Sequence, residues 1–574
     1  MGMTDDGLSY WQADTSGNLL LETTVGDFFD KRADELATKE ALVYSGYPEF
    51  GTTFDLRWTY AEYQHRATAV ARSLLALGLQ KGAHIAVWAA NLPEWPLLQI
   101  AAAKAGLVLV TINPAYRALE LEYVLRQGDV VALFFMARVR DHDCLATVNS
   151  LITPGIKHGE VSSDRLPFLR YTCLLGPSPF SDTPTQQDTW HPALFDKMVA
   201  QGEELSMATL QARQASVQPH DAAMIQYTSG TTGFPKGAIL THRGIINNAA
   251  TFMDRWGALQ TDHSCTAMPF FHVGGCVLAV LGAIYVGSTL HPMLAFDTLK
   301  TLQIISSERC TTLGAVPTML MAILQHPDFA TYDLSSLRTV VSGAASVPVY
   351  LMEQIKERIG ADVAIVFGQT ESSAAITLTL PGDSFELKSA TVGLPLPHIE
   401  VKIIHPVTNQ VVPCGEHGEL CCRGFLVMEG YYNMPEKTEE TIDSEGWLHT
   451  GDLATMNSQG YINIVGRLKE MVIRGGENIF PREVEEFLIR HPRIADAQVL
   501  GVPDAFFGEE LLAVIRLKPD EQLSENELRA YCKQHISRQK VPRYFQFVEI
   551  YPMTASGKIQ KFILRKQAIE ALGL

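Results

Sequence analysis

The ten residues Thr228-Ser229-Gly230-Thr231-Thr232-Gly233-Phe234-Pro235-Lys236-Gly237 hold four hydroxyls, three glycines and one lysine. They follow an apolar run, Met224-Ile225-Gln226-Tyr227, that reads as a strand. Glycines let the backbone take positive φ and come close to a ligand. Successive N–H groups can then point into one concavity, which suits phosphate oxygens. The hydroxyls add donors and Lys236 adds positive charge. The loop is not a Walker A loop, which needs Lys-Ser/Thr after its second glycine. Pro235 precedes the lysine here and Gly237 follows it. A bare G-x-x-G is as often a flexible loop, but the full string is far more specific.

Further strings could complete a nucleotide site. Val366-Phe367-Gly368-Gln369-Thr370-Glu371 ends an expected strand, and open α/β sheets hold ligands outside the carboxyl ends of their strands. A carboxylate beside a triphosphate suits Mg²⁺, which takes few protein oxygens plus phosphate oxygens. Alone, Glu371 reads first as a residue on the opening turn of a helix, ahead of a metal ligand. Val341-Ser342-Gly343-Ala344 is a strand ending in a small-residue turn. In Trp447-Leu448-His449-Thr450-Gly451-Asp452 the carboxylate could accept two hydroxyl bonds, or the Gly-Asp pair could be only a turn. Arg467 and Lys469 follow Gly466. Arg474-Gly475-Gly476-Glu477-Asn478-Ile479-Phe480-Pro481 has paired glycines that allow tight passage beside a chain-like ligand. Pro552-Met553-Thr554-Ala555-Ser556-Gly557-Lys558 puts a lysine in a C-terminal loop.

Taken together these strings resemble, in family order, the motifs of the adenylate-forming enzymes: acyl-CoA synthetases, luciferases and peptide-synthetase adenylation domains. The resemblance runs from about residue 20 to the C-terminus. It implies that Thr228, Ser229, Gly230, Thr231, Thr232, Gly233, Phe234, Pro235 and Lys236 bind the ATP phosphates. Gly343, Ala344, Phe367, Gly368, Gln369 and Thr370 would lie along adenine, with Glu371 and Thr228 at magnesium. Asp452 would hold the ribose, Arg467 would lie near ribose and phosphate, and Lys469 would be the hinge. Lys469, Arg474, Gly475 and Gly476 would line the CoA channel, and Lys558 would reach into the adenylation site. Catalysis would rest on Lys558, Glu371, Thr228 and Lys236. Pro269–Gly275 falls where relatives place a wall between nucleotide and acyl pocket, so His272, Val273, Gly274 and Cys276 are expected at that pocket; His272 also reads as a packing residue. The string holds no acid for a substrate amine, which argues against an amino-acid substrate. The apolar run Val277–Tyr285 reads equally as a hydrocarbon tunnel or a core helix. Val110–Arg117 and Leu119–Leu125 are most similar to medium-chain acyl-CoA synthetases.

The implied reaction is carboxylate plus Mg·ATP to acyl-AMP and pyrophosphate, then CoA to acyl-CoA and AMP. The substrate carboxylate is already ionised at neutral pH and needs no general base. The alternative is an acyl-AMP ligase that passes the acyl group to a carrier protein.

The elements that must position these groups are legible. A Thr59-x-x-Glu62 capping box opens a helix that ends at Gly78. Strand then alternates with helix over Ile85–Ala89, Glu94–Lys104 and Leu107–Ile112. The alternation resumes over Leu299–Ser307, Thr311–Gly314, Pro317–Leu324, Leu337–Ser342, Pro348–Ile359 and Val363–Phe367. Such alternation implies parallel sheets covered by helices, an α/β fold. Gly176–Trp190 reads as a surface loop. After about residue 400 the pattern becomes short strands, including Leu420–Arg423 and a hairpin over Leu453–Val465. A compact α+β segment follows, with Pro481–Ile489 helical, Gln498–Val502 and Leu512–Leu517 extended, and Ser524-x-x-Glu527 capping a helix. The expected division is a large domain, 1–466, with parallel sheets and a small β-rich part, and a mobile α+β domain, 467–574.

Composition sets the bounds. The chain has 574 residues, 47% hydrophobic and 19% charged, too long for one ordinary core. A net charge of −17 argues against nucleic acid or an anionic membrane surface as partner. Nine scattered cysteines without a C-x-x-C pair suggest reduced thiols. No signal peptide or membrane-spanning run is recognised, so a cytoplasmic enzyme is expected, and a homodimer is among the assemblies the sequence allows.

Overall fold

The computed structural model describes residues 2–574 except 4–6, 16–17, 48–53, 140, 155–158, 177–192, 229–234, 344, 346, 476, 505 and 554–558. The expected loop at 176–190 lies almost wholly outside the described residues. The chain divides into two compact units, one formed mainly by residues 13–400 and 422–448, the other by 2–12, 401–421 and 449–574.

The first unit is built on two large sheets. In one, the strands Ala193–Leu194, Tyr171–Leu175, Val130–Met136, His84–Trp88, Val108–Thr111 and Ala222–Thr228 lie side by side and parallel. Lys236–Thr241 and Gly430–Tyr431 then join antiparallel. In the other, Asp362–Gln369, Thr339–Gly343, Thr312–Gly314, His263–Thr266, Thr289–Pro292 and Glu40–Tyr47 run parallel, with antiparallel strands at both ends. The helices between them follow from the sequence pattern. Tyr60–Ala76 starts at the expected box: Thr59 Oγ1 accepts the Glu62 N–H at 3.2 Å and Glu62 Oε2 accepts the Thr59 N–H at 2.8 Å. Glu94–Ala105 is apolar all round and buried along almost its whole length, as such a helix must be. It stops at Gly106, whose φ of +64° suits glycine. Lys104 within it is buried and paired with Asp30.

The second unit carries a five-stranded sheet in the order Tyr10–Trp11, Ile399–Ile404, Gly418–Gly424, Leu448–Met456, Ile462–Arg467. After it comes a separate sheet of Glu477–Ile479, Val472–Arg474, Gly508–Leu517, Ile494–Asp504 and Tyr544–Phe547. Helices Pro481–Ile489, Glu525–His535 and Lys561–Leu572 accompany it. Among the described residues its core draws on positions from 472 onward, among them Val472, Val484, Leu488, Val499, Leu511 and Leu528. The strands at 494–504 and 508–517 are longer than their apolar stretches suggested, because they pair with each other along nearly their whole length.

Candidate active site

The glycine-rich string closes a hairpin. Strands Ala222–Thr228 and Lys236–Thr241 are antiparallel, with Thr228 directly opposite Lys236. The hydroxyl and the ammonium that flank the loop are therefore cross-strand neighbours. Gly237 sits opposite Tyr227, and a Cβ there would lie 2.7 Å from Ile225 Cγ2. Any larger residue there would have to push the Ile225 side chain aside. Ser229, Gly230, Thr231, Thr232, Gly233 and Phe234 lie outside the described residues.

Glu371 is brought to this hairpin from 143 residues away. It stands on the 3₁₀ turn Thr370–Ser372, at the carboxyl end of strand Asp362–Gln369. The turn is fixed from several sides. Ser372 Oγ donates to Gln369 O at 2.9 Å, Ser373 Oγ donates to Leu426 O at 2.7 Å, and buried Asn248 clasps Ala375 through both its amide atoms. The Met428 N–H donates to the Glu371 carbonyl at 2.9 Å. The chain then reverses through Ser373 and Ala374, both at positive φ. A Cβ on Gly368 would meet the Ala374 carbonyl at 1.8 Å, so the Phe367-Gly368 bulge admits only glycine.

The Glu371 carboxylate accepts from two hydroxyls. Thr228 Oγ1 donates to Oε1 at 3.3 Å and the Tyr431 phenol donates to the same oxygen at 2.8 Å. Lys236 Nζ lies 3.8 Å from the centre of the Tyr431 ring. One residue thus contacts both the acid and the cation. Burial, then the adjoining Glu371 carboxylate, pushes the Tyr431 phenol well above its ordinary pKa, so it is a donor at neutral pH. Tyr431 was not legible as a site residue. It belongs to the two-residue strand Gly430–Tyr431, which pairs with Ala238-Ile239. An aromatic in a string too short to show periodicity gives no local signal.

Carboxylate and hydroxyl oxygens make a hard donor set, which fits Mg²⁺ rather than a thiophilic ion. Gly343 ends the neighbouring parallel strand, opposite Val366, and a Cβ there would lie 2.5 Å from the Val366 carbonyl. Gly343, Phe367, Gly368, Gln369, Thr370 and Glu371 therefore gather at the carboxyl ends of two neighbouring strands. Ala344 lies outside the described residues.

The acyl-side string adopts an unforeseen form. Gly274–Leu281 is a π-helix, continued as α-helix over Gly282–Val286. Such segments widen a helix by one residue per turn and gather at functional sites. Gly275 is needed for close packing, since its Cβ would meet the Pro269 carbonyl at 2.2 Å. His272 Nδ1 accepts the Gly274 N–H at 3.1 Å, and its carbonyl accepts from Gly275 and Cys276. Cys276 is buried, with the Gln226 amide 2.9 Å from its sulfur, and burial pushes the thiol up to about 12. Val273, Val277, Val280 and Leu281 are buried around it.

The second unit holds the remaining candidates. The Trp447–Asp452 string is not a turn. All but its tryptophan lies in strand Leu448–Met456, where Asp452 faces Arg467 of the neighbouring strand. Arg467 Nε lies 3.0 Å from Asp452 Oδ1; the carboxylate is buried and the guanidinium exposed. The Gly451 N–H donates to Glu419 Oε1 at 3.0 Å and Asp452 N–H to Thr450 Oγ1 at 3.1 Å. Lys469 is exposed on the 3₁₀ turn Leu468–Glu470. The next residue, Glu470, pairs with Lys561 at 3.0 Å, as does Glu485 at 2.9 Å. Burial alone would lower the Lys561 pKa, but the two carboxylates raise it. Arg474 turns inward to the buried Glu510 at 2.8 Å and to the Gln539 carbonyl at 2.8 Å. Gly475 follows at φ +60°, its N–H donating to Phe507 O. Gly476 and Lys558 lie outside the described residues; Met553 and Ile559, on either side of 554–558, form an antiparallel bridge.

The chain matches the family described as AMP-binding enzyme over residues 29–432 and the AMP-binding enzyme C-terminal domain over 483–558. YngI of Bacillus subtilis (strain 168), named provisionally as an acyl-CoA synthetase, is 45% identical over 558 residues, covering 97% of this chain and 99% of the relative. The mitochondrial medium-chain acyl-CoA ligase ACSF2 of Rattus norvegicus is 38% identical over 578 residues, covering 99% and 91%. Among solved structures, the anthranilate CoA ligase AuaEII in complex with anthranoyl-AMP superposes with a TM-score of 0.80 at 26% identity, covering 97% of this chain and 99% of that one. No helix among the described residues is long and apolar enough to cross a membrane. With the family match spanning residues 29–432 and relatives similar along their full length, the chain belongs to the family of AMP-binding enzymes.

Proposed function

We propose that this enzyme is an ATP-dependent carboxylate–CoA ligase acting on a medium-chain fatty acid or a similar apolar monocarboxylic acid. The observation that carries the reading is the convergence of Thr228, Lys236, Glu371 and Tyr431 on the ends of one hairpin. In this reading Lys236 and the loop amides hold the phosphates of ATP. Glu371 and Thr228 would hold Mg²⁺, which neutralises phosphate charge when bound. Asp452 would accept hydrogen bonds from the ribose hydroxyls, with Arg467 beside it. Lys558 would donate to the carboxylate and α-phosphate oxygens while the carboxylate displaces pyrophosphate. Such a site works by position and charge, and no side chain needs to remove a proton. Residues 467–574 would then move as a body about Lys469, withdrawing Lys558 and presenting Arg474-Gly475-Gly476 to CoA. The thiol would attack the mixed anhydride and release AMP. The separate core of the segment from 472 onward supports its moving as a body.

The buried apolar residues around the π-helix, with no acid in Pro269–Gly275, support an apolar acyl group. The curated relatives named medium-chain acyl-CoA ligases support the chain length. The reading sets the enzyme in the cytoplasm, and a homodimer is compatible with it. The test is pyrophosphate release across straight-chain, branched and aromatic acids, with and without CoA. Each added CH₂ buried should contribute about 0.8 kcal/mol until the pocket is full. Preference for hydroxylated amino acids over an eight-carbon fatty acid would overturn the pocket assignment.

A further inference from the structure

A second set of ligating side chains lies outside the phosphate-binding hairpin. Strands Gly418–Gly424 and Leu448–Met456 are neighbours in the five-stranded sheet. Residues i and i+2 of a strand point to the same face. Glu419 and Cys421 therefore share one face, while Cys422 points to the other. His449, on the neighbouring strand, meets the first pair. Its Nδ1 is 2.9 Å from Glu419 Oε2 and 3.6 Å from Cys421 Sγ. The three ligand atoms all lie within 4.8 Å of one another. Among the described residues no other group of three or more His, Cys, Asp or Glu side chains is so placed.

The surroundings suit a metal site. Glu419 and Cys421 are buried, at 8% and 0% exposure, while the His449 side chain keeps 22% and gives a way in. Glu419 Oε1 takes the Gly451 N–H, which orients the carboxylate and leaves Oε2 turned to the other ligands. One thiol, one imidazole and one carboxylate are zinc ligands; magnesium, which wants oxygen alone, has no use for the sulfur.

We propose that Glu419 Oε2, Cys421 Sγ and His449 Nδ1 form a binding site for Zn²⁺ or a similar thiophilic divalent cation, with water in the fourth position. On binding, the Cys421 thiol loses its proton to solvent and the neutral imidazole carries its proton on Nε2. One proton is released per ion, so affinity rises with pH. Three residues beyond His449 stands Asp452, and Gly451 is already tied to Glu419. A bound ion would therefore stiffen the segment that carries Asp452.

The test uses the full-length protein, stripped with a chelator and kept reduced, with Co²⁺ as a visible stand-in for Zn²⁺. The expected result is one equivalent of Co²⁺ with a strong thiolate-to-cobalt absorption band, bleached by one equivalent of Zn²⁺. Cys421→Ser should lose the band and bind Zn²⁺ at least ~10-fold more weakly. Cys422→Ser should keep both. Because Cys421 is buried, His449→Gln at a partly exposed position serves as the second variant, and it should weaken Zn²⁺ by a similar factor. Zn²⁺ should raise the thermal midpoint of the wild type and of Cys422→Ser only. Absence of stoichiometric binding by the wild type, or binding unchanged in Cys421→Ser and His449→Gln, overturns the proposal.

Discussion

Tyr431→Phe tests the site geometry with the smallest perturbation available. The substitution removes one oxygen and keeps the ring. The lost contact is the 2.8 Å hydrogen bond to Glu371 Oε1, while the 3.3 Å bond from Thr228 to the same oxygen remains. A hydrogen bond to a charged group contributes about 1.5–3 kcal/mol. With one donor still in place the low end applies, about 1.5–2 kcal/mol. At roughly 1.4 kcal/mol per factor of ten, kcat/KM for pyrophosphate release should fall about 10- to 30-fold. The loss should appear as a raised magnesium requirement, because the carboxylate assigned to the metal is the group left to swing. Glu371→Gln should show the same requirement more strongly. Tyr431→Leu also removes the π-face under Lys236 Nζ, 3.8 Å from the ring centre, and a cation–π contact contributes about 0.5–1 kcal/mol. A further two- to fivefold loss should follow. The assay is coupled pyrophosphate release at a series of Mg²⁺ concentrations, with thermal midpoints to confirm folding. A folded Tyr431→Phe enzyme within twofold of wild type at every Mg²⁺ concentration would refute the role of the phenol. Equal rates for Phe and Leu would refute the role of the ring.

Four further outcomes are expected. Asp452→Ala removes the carboxylate opposite Arg467 and should raise the KM for ATP about tenfold or more with a smaller effect on kcat, since ribose contacts act in ground and transition states alike; steady-state kinetics at varied ATP decides this. His242 is buried and burial lowers its pKa from 6.5 to about 4, with the Val25 N–H donating to Nδ1 at 3.3 Å. The unfolded chain binds this proton first, so the stability tied to the neutral ring is full above pH ~6.5 and about 3 kcal/mol of it is lost as pH falls to 4; the wild-type thermal midpoint should drop relative to His242→Gln across that window, and parallel curves would contradict the assignment. Lys558→Ala should slow adenylation by about two orders of magnitude, by comparison with loss of one oxyanion donor, yet turn synthetic acyl-AMP and CoA into thioester. Lys469→Pro should spare adenylation and slow thioester formation, because proline fixes φ in the turn; equal loss of both half-reactions in both variants would remove the alternation.

Local chemistry made much of the fold readable. Thr59 and Glu62 announce a helix start because both halves of the box lie within four residues, and Pro481–Ile489 is helical over the expected span with its proline at the first helical position, where no N–H is needed. The parallel α/β order follows from alternation of strand and helix. What could not be read depends on distance or on subtle geometry. Tyr431 reaches Glu371 across 60 residues through a two-residue strand. The π-helix at Gly274–Leu281 has the same apolar composition as an α-helix, and its wider hydrogen-bond spacing leaves no mark on the pattern of residues. Arg474 is expected at the CoA channel from its string alone, and its pairing with buried Glu510, which comes from another strand, has no signal in the sequence. Asp452 and Arg467 were each legible singly, but their register opposite one another belongs to the folded sheet.

The central claim, that one enzyme makes an acyl-adenylate and then discharges it onto free CoA, is tested most directly by a single-turnover chase. The enzyme is mixed with ATP, Mg²⁺ and an eight-carbon fatty acid without CoA, and freed of unbound nucleotide. CoA is then added, and acyl-AMP, acyl-CoA and AMP are measured over time. The account predicts about one enzyme-bound acyl-AMP per active site. Its decay should match the appearance of acyl-CoA and AMP in equal amounts. An acyl-AMP that forms but persists in the presence of CoA would contradict it, and so would ADP as the nucleotide product.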